Sequence, residues 1–356
     1  MTYTEVLKHL SENSYQWTIT GGAGFIGSHL VETLLQNNQQ VIVLDNFSTG
    51  YESNLNDIKT RVSTLHWQKF HLLRGDITSF EDCKKAVMDS DFVLHHAAMG
   101  SVPRSIERPL EANKINVDGF LNILQAATLE KVKRFIYASS SAVYGDNETL
   151  PKKESDLGRL LSPYAASKRI NELYAESFSK NYGIETMGLR YFNVFGPRQD
   201  PNGAYAAVIP KWIQALAENK EVHINGDGTT SRDFCFVKDV VQINLLAALT
   251  TNPESLNQVY NCGTGKPTSL TELFKILKSE FKKAKRPLSI STPELRPFRE
   301  GDVVHSVADI SLAQKKLQFQ PEYDLGKGLQ QTISFFTPAL AVVTPKAPQT
   351  EPAILL

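Results

Sequence analysis

A run of glycines placed directly after a strand, Gly21-Gly22-Ala23-Gly24-Phe25-Ile26-Gly27, constrains this chain more than any other stretch. Trp17-Thr18-Ile19-Thr20 before it is short and reads as a strand. Phe25 to Gln36 after it carries Ile26, Leu30, Leu34 and Leu35 on one side and reads as a helix. Glycines three apart let a backbone turn tightly and approach a pyrophosphate, which meets the free N–H groups of the helix start. A second strand, Val41-Ile42-Val43-Leu44, ends in Asp45, about 20 residues beyond the glycines, where a ribose-binding carboxylate belongs. The next residues, Asn46-Phe47-Ser48, bring no arginine to neutralise a 2′-phosphate. The expected cofactor is therefore NAD rather than NADP. Asp76 and Ile77 are expected to hold the adenine edge, unless Asp76 instead caps the helix that starts near Ser79.

The remainder of the first half repeats this alternation. Phe70 to Arg74, Phe92-Val93-Leu94, Arg134 to Ala138 and Thr186 to Tyr191 read as strands. Glu81 to Met88, Asn113 to Leu129 and Tyr164 to Asn181 read as helices. Strands apolar on both faces and separated by helices imply a parallel sheet covered on both sides. The fold class expected is α/β: a Rossmann-type doubly wound parallel sheet with a second, smaller α/β substrate-binding lobe. Residues 1–192 would form mainly the first and 193–337 mainly the second, with the chain free to cross back between them. The second lobe would hold helices near Pro210 to Ala217 and Leu270 to Lys282. Residues 338–356, rich in Pro, Ala and Thr, read as a flexible tail.

Composition removes other classes. Lys+Arg and Asp+Glu are equal at 38 each, so the basic excess that nucleic acid demands is missing and no nucleic-acid partner is expected. Cys83, Cys235 and Cys262 stand far apart, which suggests neither a zinc site nor a disulfide framework; no metal is expected. No apolar run reaches about 18 residues and Met1 to Gln16 is polar, so a cytoplasmic protein without a membrane span is expected.

Tyr164 and Lys168 share one helix face at a spacing of four residues. A free phenol, with a pKa near 10, is a poor base at neutral pH. A nearby ammonium stabilises the phenolate, and Lys168 is placed to supply it. The strand from Arg134 runs into Ser139-Ser140-Ser141, and hydroxyls at a strand's carboxyl end face the ligand crevice of a doubly wound sheet.

These residues resemble a known family. The glycine turn, Ser140-Ser141-Ala142-Val143-Tyr144-Gly145, Tyr164 with Lys168, and Arg190-Tyr191-Phe192-Asn193-Val194-Phe195-Gly196 are similar to the extended short-chain dehydrogenase/reductases, in particular the NAD-dependent nucleotide-sugar epimerases. The resemblance implies that Ser140, Tyr164 and Lys168 are catalytic. It extends the NAD contacts beyond Gly21, Gly24, Phe25, Ile26, Gly27, Asp45, Asn46, Phe47, Ser48, Asp76 and Ile77 to Gly50, Ala97, Ala98, Tyr164, Lys168, Tyr191 and Val194. It assigns UDP-sugar contacts to Ser101, Ser139, Ser140, Ser141, Tyr164, Asn193, Ala207, Val208, Lys211, Trp212, Ile224, Asn225, Arg232, Arg299, Asp302 and Ser306. Ser140 is followed by Ser141-Ala142 and not by the Asp-Glu of the family's dehydratases, which favours oxidation and re-reduction of the sugar. Gly100-Ser101-Val102-Pro103-Arg104-Ser105 resembles the UDP-N-acetylglucosamine 4-epimerase subgroup. Ser306, small where narrower enzymes place a bulky Tyr, leaves room for an N-acetyl arm. The expected activity is interconversion of UDP-GlcNAc and UDP-GalNAc. Epimerisation of the uronic acids UDP-GlcNAcA or UDP-glucuronate, or another NAD-dependent nucleotide-sugar reaction, is the alternative, and a non-catalytic NAD-sensing protein stands last. The resemblance also implies a homodimer.

Overall fold

The computed structural model describes residues 1–202, 207–286, 288, 290, 292–298 and 303–337. Helix α1 (Tyr3–Glu12) precedes β1 (Gln16–Thr20), α2 (Phe25–Gln36), β2 (Gln40–Asp45), α3 (Glu52–Arg61), α4 (Thr64–Trp67), β3 (Phe70–Arg74), α5 (Phe80–Val87) and β4 (Phe92–His95). Then come α6 (Val102–Glu107), α7 (Pro109–Asn113), α8 (Gly119–Leu129), β5 (Arg134–Ser140), α9 (Pro163–Tyr182), β6 (Glu185–Tyr191) and β7 (Asn193–Phe195). The chain continues through α10 (Val208–Ala217), β8 (His223–Asn225), β9 (Ser231–Phe236), α11 (Val237–Leu249), β10 (Gln258–Cys262) and β11 (Pro267–Ser269). It closes with α12 (Leu270–Lys283), β12 (Glu294–Arg296), β13 (His305–Ser306), α13 (Ser311–Leu317) and α14 (Leu325–Phe336).

Seven strands form one parallel sheet in the order β10-β6-β5-β4-β1-β2-β3. Leaving β1 the chain turns to β2 on one side, and it later returns to β4 on the other. The switch point therefore lies between the carboxyl ends of β1 and β4, where such sheets open a ligand crevice. Trp17, Ile19, Val41, Val43, Phe92 and Leu94 face α2 and α11 in one core, while Val93, Phe135 and Tyr137 face α5, α8 and α9 in another. The doubly wound sheet read from the sequence is thus observed.

β9 is the hub of the second lobe, pairing with β7 and β13 in parallel and with β11 antiparallel. A separate core of Ile209, Trp212, Ile213, Phe274, Leu277 and Leu329 joins α10, α12 and α14 beneath it. β10 and α11 come after the second lobe has begun, yet β10 pairs with β6 and α11 packs on α2.

The stretch from Asn113 to Leu129 is helical as expected, with α7 and α8 joined by a π-helical turn, Lys114–Asp118. The widened turn carries Asn116, whose amide bonds both the Met99 N–H and C=O and the Ser167 hydroxyl. Among the described residues no helix is long and apolar enough to cross a membrane.

Candidate active site

The glycine turn is built for close approach. Gly21 sits at φ +72°, a left-handed conformation, and a Cβ there would stand 2.8 Å from the Ala97 N. A Cβ on Gly27 would fall 2.2 Å from the Gly21 carbonyl oxygen. Gly24 is the N-cap of α2 and brings no side chain to its N–H groups, which stay available to a ligand. This backbone cradle suits a pyrophosphate, and helix polarity favours an anion there.

The cradle opens into a cleft of about 550 Å³ at the switch point. Gly21, Gly24, Phe25, Ile26, Gly27, Asp45, Asn46, Ser48, Gly50, Asp76, Ile77, Ala97, Ala98, Tyr164, Lys168, Tyr191 and Val194 all line it. Asp45 accepts the Ala23 N–H at 2.9 Å and the Phe47 N–H at 2.8 Å; burial pushes its carboxyl up, and those two bonds oppose the shift. Arg104 and Lys168 are the cations on the wall, and neither adjoins Asp45 in sequence. The donor set therefore fits NAD: a cradle for the pyrophosphate and an acceptor for a ribose diol. Ser79 caps α5, which leaves Asp76 to bond the Thr78 N–H and the Asn46 amide at the cleft edge.

Phe47 stands apart from the other expected cofactor contacts. It does not line the cleft; its ring lies 4.5 Å from the Arg74 guanidinium. Only its N–H serves the site, through Asp45.

The reactive groups meet at the far end of this cleft. β5 delivers Ser140 and α9 delivers Tyr164 and Lys168. Ser162 caps α9 by accepting the Ala165 N–H, and Pro163 opens its first turn, so Tyr164 projects from a fixed helix start. Tyr164 and Ser140 line the same cleft wall, and the Ser140 hydroxyl is the polar neighbour that favours the Tyr164 phenolate. Burial pushes the Tyr164 phenol up, and the Ser140 hydroxyl partly offsets this. Lys168 is buried and donates to the Ala138 carbonyl at 2.8 Å. Burial pushes its ammonium down to about 8, opposed by the charge of Glu172. The arrangement offers a phenol and a hydroxyl to a single substrate oxygen, with a cation beside them.

A second cleft of about 240 Å³ continues into the smaller lobe; Asn193 and Val194 line both. Ala207, Val208, Trp212, Asn225 and Arg232 line this second cleft. Ser141 lines the first. Five other expected substrate contacts are placed otherwise. The Ser101 hydroxyl caps α6 by accepting the Arg104 N–H, Lys211 is exposed outside both clefts, and Ile224 is buried in the lobe's core. Ser306 pairs with Arg232 in the β9–β13 ladder and lines neither cleft. Ser139 reaches the first cleft but donates its hydroxyl to Glu172 at 2.6 Å. Arg299 and Asp302 lie outside the described residues, as does the stretch 338–356.

The sequence reading omitted His96, Met99, Arg104, Glu111, Ile115 and Gln199, which also form the wall. Arg104 lies in the Gly100 to Ser105 stretch quoted for the substrate, and the others come from segments that no local motif marks.

Comparison with known proteins places these features in context. The NAD dependent epimerase/dehydratase family matches residues 17–263. A UDP-glucose 4-epimerase of Mycolicibacterium smegmatis is 34% identical over 320 residues, covering 89% of this chain and 97% of its own. The structure of a UDP-N-acetylglucosamine 4-epimerase from Methanobrevibacter ruminantium, in complex with UDP-N-acetylmuramic acid, superimposes with a TM-score of 0.83 at 38% identity, covering 92% of this chain and 99% of that one. A UDP-glucuronic acid 4-epimerase from Bacillus cereus, in complex with UDP-glucuronic acid and NAD, gives a TM-score of 0.80 at 29% identity, covering 91% and 99%.

Proposed function

The chain belongs to the NAD-dependent epimerase/dehydratase family, and we propose that within it the protein interconverts UDP-GlcNAc and UDP-GalNAc. Its cofactor is NAD and its reaction class is UDP-sugar 4-epimerisation. The observation that carries the reading is the meeting of Tyr164, Ser140 and Lys168 in the cleft that also contains the glycine turn.

In this mechanism the glycine turn and the start of α2 hold the NAD pyrophosphate, and Asp45 holds the adenosine ribose. NAD supplies two-electron acceptance and return at the sugar C4. Tyr164, as phenolate, takes the proton of the 4-hydroxyl, and Ser140 holds the same oxygen. The Lys168 ammonium stabilises the phenolate electrostatically. The resulting 4-ketone keeps its UDP in the second cleft, where Arg232 provides positive charge and Asn193, Ala207 and Trp212 provide walls. The ketone turns its other face, and Tyr164 gives the proton back to the 4-oxygen. Retention of UDP while the sugar turns is a positioning effect, which a two-cleft architecture suits.

The N-acetyl preference is supported by the Gly100 to Ser105 stretch and by the 38% identity to the UDP-N-acetylglucosamine 4-epimerase. A second reading takes a uronic acid instead. The likeness to the UDP-glucuronic acid 4-epimerase supports it, and Arg104 on the cleft wall, ion-paired with Glu111 at 3.9 Å, is its candidate carboxylate partner. We further propose a homodimer through α8 and α9, where Leu129, Leu173 and Tyr174 are exposed.

Proton NMR of the purified protein with UDP-GlcNAc, without added cofactor, tests the substrate. Appearance of UDP-GalNAc supports the proposal. Turnover of UDP-glucuronate or UDP-glucose alone moves the substrate and leaves the chemistry. A Tyr164→Phe variant is expected to lose turnover by about 10²–10⁴-fold and to keep its NAD.

A further inference from the structure

Glu172 has no part in the scheme above, yet its side chain is only 1% exposed directly behind the reactive groups. It follows Lys168 by one turn on α9. Its Oε1 accepts the Ser139 hydroxyl at 2.6 Å and the Arg190 Nε at 2.9 Å. Its Oε2 accepts the Arg190 Nη2 at 2.9 Å and the Arg169 Nη1 at 2.8 Å. A carboxylate gripped bidentately by a buried guanidinium has little freedom to move.

These bonds form a pattern with those of Lys168. Ala138 and Ser139 are consecutive at the end of β5. Ala138 is bonded to Lys168, and Ser139 to Glu172. The strand end is thereby held to two successive turns of α9, and Ser140 is the next residue. Nothing else in the strand's own ladder fixes the distance between Ser140 and Tyr164, because β5 pairs with β4 and β6 and not with α9.

The charges around Lys168 point the same way. From the end of β4 come His95 and His96, both held neutral because burial pushes them down, His96 to about 3. From α9 come Tyr164 and, across the carboxylate, Arg169; from β6 comes Arg190. Of these groups Glu172 alone is an anion. Arg190, Ser139 and Arg169 hold it ionised, although burial opposes that.

We propose that Glu172 is the positioning residue of this site: it clamps the strand end that carries Ser140 to the helix that carries Tyr164, and it sets a buried carboxylate one helical turn from Lys168. The inference rests on the roles given to Tyr164 and Lys168 above. A merely structural role, as counter-ion to Arg190, would affect stability without altering how activity responds to pH.

The test measures kcat and KM for UDP-GlcNAc and UDP-glucuronate from about pH 6 to about pH 10. It compares the holoenzyme with Glu172→Gln, Glu172→Asp, Ser139→Ala and Tyr164→Phe. Loss of the Glu172 charge makes the Lys168 ammonium easier to deprotonate. Glu172→Gln is therefore expected to move the alkaline limb of kcat toward acid by about one pH unit. Its kcat should fall about tenfold or more while KM stays within about twofold. Glu172→Asp should restore the limb. Ser139→Ala, which removes one strand bond and no charge, should lower kcat several-fold and leave the limb in place. A folded Glu172→Gln with unaltered kcat and limb overturns the proposal. If that variant does not fold, wild-type kcat in Ser139→Ala overturns it. A Tyr164→Phe enzyme that still turns over sinks the underlying catalytic reading, and Glu172 falls with it; a dead Tyr164→Phe beside an unaltered Glu172→Gln removes Glu172 alone.

Discussion

At the scale of single residues, Gly27 shows how little tolerance the cofactor end has. The 2.2 Å approach of a Cβ to the Gly21 carbonyl means that either the turn or the helix start must move. Gly27→Ala is expected to fold, since α2 is otherwise anchored by Leu30, Val31 and Leu34, but to be purified without NAD. Release of the nucleotide on denaturation, assayed by absorbance, decides this; a full complement of NAD would refute it. The catalytic end is a matter of charge instead. Burial keeps the Tyr164 phenol protonated and weakens the Lys168 ammonium, so both groups depend on what is brought beside them. Tyr164 and Lys168 were readable from their spacing together with the glycine turn and the serine-rich strand end that precede them, as was Asp45 from its distance to the glycines. Ser139 was not, because a serine's chain position says nothing about which of several neighbours its hydroxyl meets. A candidate substrate contact became a bond to Glu172.

Elements explain how those residues keep their places. α9 carries Tyr164 in its first turn, so the capping of that turn matters to the site as well as to the helix. Ser162→Ala removes the bond to the Ala165 N–H and is expected to cost about 1 kcal/mol of stability. Urea unfolding measures it, and an unchanged midpoint would show that the helix start is held by packing alone. Elements with a clear period or a marked end were legible: α2 runs over Phe25–Gln36 and β3 over Phe70–Arg74, the spans expected from the pattern. α11 was not foreseen. Nearly every residue of Val237–Leu249 is buried, so the segment lacks the polar stripe that betrays a helix. The π-helical turn at Lys114–Asp118 was hidden for another reason. It exists to bring Asn116 to Met99 and Ser167, partners separated from it by 17 and 51 residues.

In the whole molecule the two lobes are tied by polar bonds as well as by apolar packing. Arg198, buried in the loop after β7, bonds Asp57 on α3 at 2.7 Å, Glu32 on α2 at 2.5 Å and the Ser28 carbonyl at 3.3 Å. Arg198→Met leaves Glu32 without its cation and Asp57 with Arg61 alone, and is expected to cost about 3 kcal/mol in urea unfolding. The adjoining His29 donates to the Pro197 carbonyl at 2.9 Å and, with His96, is pushed down to about 3 by burial. Both folded values lie below the unfolded value of about 6.5. The stability these residues contribute is therefore present above about pH 6.5 and is lost as pH falls toward about 3, by about 1.4 kcal/mol per pH unit for each. Unfolding midpoints taken from pH 7 downward should fall with at least that slope, since burial pushes His95 down as well, and His29→Gln should make the slope shallower by about one proton. An equal slope in the variant would refute the assignment. The sequence by itself determined the parallel sheet and the chemistry of the cofactor cradle. These follow from short-range rules: strand period, helix start, glycine sterics and the four-residue spacing of a helix face. Only the tertiary structure decided the rest. It brought β10 back beside β6, set Glu172 and Arg190 behind the reactive pair, and closed the cleft with Arg104, Glu111 and Gln199. Those contacts join residues far apart in the chain. Packing and electrostatics select them once the elements are assembled, and no local pattern encodes them.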